Sequence, residues 1–137
     1  MELMESGGPT KPIPEEVRAL ATFVEERVES HLRSVIWYDQ GDFEILYGRA
    51  DVLSRYSTVE IDEVIDELAL ESREKPLKEQ LYTHGSLNCT IQCYEDGVEM
   101  HFVVSEGEGV AIGLDADAFV TNATFLGTCI EKVALDD

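Results

Sequence analysis

Apolar side chains recur along this chain in two periods, and the switches between them mark out its elements. From Pro14 onward, Val17, Leu20, Val24 and Val28 fall three and four residues apart, with Phe23 and Leu32 beside the stripe. That spacing predicts an amphipathic helix whose other face carries Glu25, Glu26, Arg27 and Glu29. Pro14 suits a first helical turn, where its missing N–H costs nothing, and Glu15 and Glu16 complement the positive end of the helix dipole. Val35-Ile36-Trp37-Tyr38 then reads as a strand, Asp39-Gln40-Gly41-Asp42 as a turn, and Phe43 to Tyr47 as the returning strand, ended by Gly48. Its residues Phe43, Ile45 and Tyr47 are expected on one face. A helical region follows. Val52, Leu53 and Tyr56 suit one short turn, and Ser57 with Glu60 fits a capping box. Ile61, Val64, Ile65 and Leu68 form the next stripe, and Pro76 is expected to break or kink it before a last piece at Leu77 and Leu81.

The period then shortens to two. Leu87, Cys89, Ile91 and Cys93 alternate with Asn88, Thr90 and Gln92, which predicts a half-buried strand. Asp96-Gly97 is a favoured hairpin pair. Val98, Met100, Phe102 and Val104 continue the alternation, Ser105 to Gly109 reads as a loop, and Val110, Ile112 and Leu114 as a third strand. Asp115 or Asp117 can cap a closing helix with Phe119, Asn122, Leu126, Ile130 and Val133 near one stripe. The predicted fold is α+β: a single five-stranded antiparallel sheet with packed helices, in the order α-β-β-α-β-β-β-α. Residues 1–11 are polar and Gly-rich and are expected to be a flexible arm, with 12–137 as one domain.

Charge changes the picture most. The chain has 29 acidic and 10 basic residues, a net charge of -19 and a pI near 4.3. The acids are spread along the whole length rather than gathered in a tail. Such a surface repels itself in dilute buffer, and molar salt screens that repulsion by shortening the Debye length to about 3 Å. The composition therefore predicts a halophilic protein. The same excess argues against direct contact with nucleic acid or an anionic membrane, both of which ask for basic patches. The acidic start, Met1-Glu2-Leu3-Met4-Glu5, lacks the features of a secretory leader, so a cytoplasmic location is expected.

Candidate chemistry is sparse. Cys89 and Cys93 share a strand face but lie about 13 Å apart along it, too far to chelate one zinc ion with His84 or His101. With Cys129 they make an odd count and read as core cysteines rather than a disulfide framework or a metal site. His101 falls on the outward phase of its strand and is expected to be exposed. His31 suits a helix end. Carboxylate pairs are too common here for any spacing to point to a glycosidase. Gly107-Glu108-Gly109 lacks the lysine of a phosphate loop. No catalytic residue, cofactor or metal is expected. Trp37 and Tyr38 must point to opposite faces, so burial under two layers competes with exposure at an interface. Arg49, near Arg55, can anchor an ion pair or meet an anionic group. Trp37, Tyr38, Tyr47 and Phe125 are the expected partner contacts.

The order of elements resembles the profilin-like group, in particular the roadblock/longin type of small domain. Separately, Val35 to Asp39, Asp42-Phe43 to Tyr47, Arg49, and Cys93, Asp96-Gly97 and His101-Phe102 resemble an uncharacterised family of small acidic haloarchaeal proteins. The roadblock resemblance implies dimerisation through a helix and an edge strand, and a platform role for protein partners such as small GTPases or motor complexes. The resulting expectation is a non-enzymatic regulatory or interaction module, forming a homodimer and acting on a protein partner. The alternative is a small-molecule sensor of PAS or GAF type, in which the region from Val52 to Leu81 covers a pocket on the sheet. A small hydrolase or transferase is a third, lesser expectation.

Overall fold

The computed structural model describes residues 12–118 and 124–133. Residues 1–11, expected as an arm, lie outside the described residues, as do Phe119 and Asn122 of the expected closing helix. The elements are α1 (Glu15–Val28), a short 3-10 turn (Glu29–His31), β1 (Leu32–Asp39), β2 (Asp42–Gly48), α2 (Ala50–Leu53), α3 (Thr58–Leu81), β3 (Thr90–Cys93), β4 (Gly97–Ser105), β5 (Glu108–Asp115) and α4 (Thr124–Val133). The five strands form one antiparallel sheet in the order β2-β1-β5-β4-β3. This is the α+β arrangement and element order that the hydrophobic pattern predicts.

Alternation along the strands sorts their side chains onto two covered faces. Val35 and Trp37 of β1, Val98 of β4, and Val110, Ile112 and Leu114 of β5 meet Val17 and Val24 of α1. Tyr38 meets Ile65 and Ala69 of α3, with Ile36, Phe43, Ile61 and Leu68 around them. Trp37 and Tyr38 thus enter separate cores, and both are fully buried. Trp37 keeps its indole N–H satisfied by donating to Glu108 Oε2 at 3.0 Å, while Ser105 Oγ donates to Glu108 Oε1 at 3.1 Å.

The capping box at the start of α3 is formed as expected. Glu60 N–H donates to Ser57 Oγ at 3.1 Å and Ser57 N–H donates to Glu60 Oε1 at 2.8 Å.

Four expectations are corrected. Pro76 does not break α3, which runs through it to Leu81. The carbonyl four residues before a proline loses its partner, but here the turn at Ser72 is anchored to the sheet. Ser72 Oγ donates to Ala69 O at 2.6 Å and accepts from Gly107 N–H at 2.9 Å. The strand expected from Leu87 starts only at Thr90, and it is an edge strand. Ile91 is 46% exposed, Cys93 and Cys129 are exposed and Cys89 is half-buried, so these are not core cysteines. Finally, the loop expected over Ser105 to Gly109 is only a tight turn at Glu106-Gly107, with Gly107 at φ 81.

Candidate functional site

On the α3 side, the central strand β5 carries almost no bulk. β5 alternates Val110, Ile112 and Leu114 toward α1 with Gly109, Ala111 and Gly113 toward α3. Ser34 of β1 lies beside Gly113 on the same face. α3 rests on the sheet through Ile65, Ala69 and Ser72, all buried. Toward its N-terminal half it stands over these small residues, and the space between is a groove of about 1030 Å³. The sheet supplies Ser34, Ile36, Ile45, Ala111, Thr90 and Gln92. Val52 and Leu53 of α2, Tyr56, and Ile61, Val64 and Leu68 of α3 close it from above. Glu60, Glu63, Glu67 and Glu71 of α3 also line it, at the three- and four-residue spacing that keeps them on one side of the helix.

At the inner end, a chain of polar groups ties α3 to the sheet. His101 Nδ1 lies 2.6 Å from Glu71 Oε1, and His101 Nε2 lies 2.6 Å from the Tyr38 hydroxyl. The hydroxyl is also 3.2 Å from the carbonyl of Leu68. With a neutral imidazole, Nδ1–H donates to Glu71 and the Tyr38 hydroxyl donates to Nε2. With an imidazolium, both ring nitrogens donate and the hydroxyl turns to Leu68. Either state satisfies every polar atom, and His101 has both nitrogens committed. Burial pushes the Tyr38 phenol well above its usual range, so it stays protonated. Gly109 makes this possible: a Cβ there would lie 2.5 Å from the Tyr38 hydroxyl and 2.7 Å from the Phe102 carbonyl.

At the outer end, Glu99 lies across Gly113, where an added Cβ would sit 3.0 Å from Glu99 Oε2. Among the described residues its carboxylate has no hydrogen bond or ion pair, and it lines the groove. The surrounding protein pushes it up to about 7 by desolvation, partly opposed by Arg33, although the side chain keeps contact with solvent along the open side of the groove. Arg33 is itself held by Asp115, Nη1 to Oδ1 at 3.2 Å. Arg49 grips the same Asp115 through two nitrogens, at 2.8 and 3.0 Å, and His31 stands 3.6 Å away. The Arg49 side-chain hydrogen bonds, aided by those of Arg33, hold Asp115 down to about 2. Arg49 also pairs with Asp51 at 2.7 Å and donates to Ser30 O at 2.8 Å. It therefore serves as an internal tie rather than an open anion site.

Of the side chains expected to meet a partner, Trp37 and Tyr38 are buried in the two cores and present no surface. Tyr47 is half-buried against the α1 core. Phe125 lies outside the residues whose side chains are described. His101, expected to be exposed, is buried at 5%. The outward phase of its strand faces a second helical layer, not water. The groove residues were missed because Ser34, Gly97, Ala111 and Gly113 carry no chemistry of their own. The signal was available in the β5 alternation of large with very small residues. Among the described residues, no group of three or more His, Cys, Asp and Glu side chains is arranged to hold a metal. No described helix is long and apolar enough to cross a membrane.

Residues 18–134 match the family model described as a domain of unknown function, DUF7522, and the chain belongs to that family. No curated protein matches the chain.

Proposed function

We propose that this DUF7522 domain is a small-molecule-binding module of sensor type, with its ligand held between α3 and the sheet. The observation that supports this reading is the groove itself. At about 1030 Å³ it lies at the upper end of ordinary small-molecule pockets. It combines an apolar floor with polar groups, as such sites usually do, although its lining is richer in carboxylates than most. His101 and Tyr38 act as a clamp in this reading rather than as an acid and a nucleophile, since their hydrogen-bonding atoms are already engaged. Ligand binding that tightens or lifts α3 would pull on that clamp. In this proposal the module works in a salt-rich cytoplasm of haloarchaeal type, a reading that the excess of acidic residues supports.

The test is an amide NMR titration with a small set of aromatic and aliphatic fragments. The reading expects shifts concentrated at Ser34, Ile36, Leu53 and Ala111, and their loss in Ser34→Leu, which fills the floor. Shifts scattered over the surface, unaffected by Ser34→Leu, would sink it.

A second reading, a protein-interaction module or homodimer of roadblock type, is favoured by one observation. Leu70, Leu77 and Leu81 repeat along α3 and are 49%, 67% and 71% exposed. Residues 7 and 11 apart share a helix face, so the three form an apolar ridge pointing away from the sheet. Light scattering in multimolar KCl separates the two. A dimer that Leu77→Glu dissociates supports the ridge, and a monomer at every concentration counts against it.

A further inference from the structure

The chemistry of the groove points to the class of its ligand, a step that rests on the ligand-binding reading above. Most carboxylates of this chain project from exposed faces into water. Those of Glu63 and Glu67 on α3 and of Glu99 on the sheet are exposed too, but together with Glu95 and Asp96 they line a hollow with an apolar floor. Among the described residues none of Glu63, Glu67 and Glu99 makes a hydrogen bond or ion pair. Glu60 is occupied by the capping box and Glu71 by His101. Arg33 is the only arginine or lysine among the lining residues, and Asp115 holds its guanidinium. The hollow thus carries an excess of carboxylates on its α3 and sheet walls around Ile36, Ile45 and Ala111, with Arg33 only partly offsetting Glu99.

We infer that the groove takes an organic cation with an apolar body, its ammonium or guanidinium group held between Glu99 and the α3 carboxylates Glu63 and Glu67, and its hydrocarbon portion on the floor. A cation there meets carboxylates that lack partners, whereas an anion of the same shape meets repulsion from both walls. The charge of a cation beside Glu99 favours its ionised form and so opposes the desolvation that pushes it up to about 7, and binding should release part of the proton that Glu99 carries near neutral pH.

The test uses three probes with one apolar body: phenylbutylammonium, phenylbutanol and phenylbutyrate. Each is titrated into the full chain by calorimetry, at about 0.15 M and about 2 M KCl, because screening weakens charge contacts. The expected order is ammonium tightest, alcohol about tenfold weaker, carboxylate weakest, the gaps narrowing in high salt. Glu99→Gln and, separately, the exposed Glu67→Gln should each weaken the ammonium probe several-fold and leave the alcohol unchanged. Glu25→Gln on α1, which changes net charge equally, should change neither. Equal binding of ammonium and alcohol, lost in Ser34→Leu, would overturn the cation inference and leave the groove reading standing. Tighter binding of the carboxylate would do the same. Absence of binding by all three at millimolar concentration, or binding indifferent to Ser34→Leu, would overturn both.

Discussion

Replacing Asp115 by Asn removes one charge at the point where β1, β2 and β5 are laced together. Arg49 holds both carboxylate oxygens at 2.8 and 3.0 Å, and Arg33 adds a contact at 3.2 Å. Those partners lower the Asp115 carboxyl from the ordinary 3.8 to about 2. Each pKa unit corresponds to about 1.4 kcal/mol, so the charge contributes at most about 2.5 kcal/mol to the folded state. The side chain is 27% exposed, and solvent screening should reduce that to about 1 to 1.5 kcal/mol. The folded pKa is depressed, so the contribution is fully present above the unfolded value of 3.8. It is lost as the pH falls through the folded value of about 2. Urea unfolding in about 2 M KCl should show the midpoint of Asp115→Asn about 0.5 to 1 M below the parent at pH 7. The gap should hold to about pH 5 and close toward pH 2. A gap below about 0.3 kcal/mol at pH 7, or one that is as wide near pH 2 as at pH 7, would refute the reasoning.

Other substitutions probe other parts of the scaffold. Ser57→Ala deletes half the capping box of α3 and should cost about 1 kcal/mol, read by thermal or urea unfolding; no loss would mean that the cap is idle in solution. Gly109→Ala drives a methyl group against the Tyr38 hydroxyl and the Phe102 carbonyl, and should destabilise by about 2 to 3 kcal/mol, with tyrosine fluorescence reporting the displaced ring. An unchanged unfolding midpoint would contradict the packing described. Glu99 has its folded pKa raised, to about 7 from 4.5, so its ionisation disfavours the folded state increasingly as pH rises through that window. Glu99→Gln should therefore gain stability over the parent between about pH 4.5 and 7 and hold that gain above it, a trend that pH-dependent melting curves would expose or deny.

The parts of the fold that were legible are those where one period runs without interruption. The α1 stripe, the capping box at Ser57 and Glu60, and the alternation through β4 and β5 each correspond to an element. The strand order was not legible, because the pairing of β1 with β5 joins segments that no local pattern connects. His101 was misread for a related reason. Alternation tells which residues share a face, but not whether the other face meets water or a second helix. Pro76 was misread because the hydrogen bond from Gly107 N–H to Ser72 Oγ, which anchors that turn, joins segments 35 residues apart. The groove is a void defined by what Ser34, Ala111 and Gly113 lack, so no conspicuous residue marked it.

The most direct test of the ligand-binding claim is to ask what the protein itself retains. Parent and Ser34→Leu proteins would be dialysed in high salt against a small-molecule extract of salt-adapted cells, washed, denatured and examined by mass spectrometry, with circular dichroism confirming that both are folded. The account predicts that the parent retains one or a few organic cations with apolar bodies and that the filled variant loses them. Identical sets of retained molecules in the two proteins, or none in either, would contradict it.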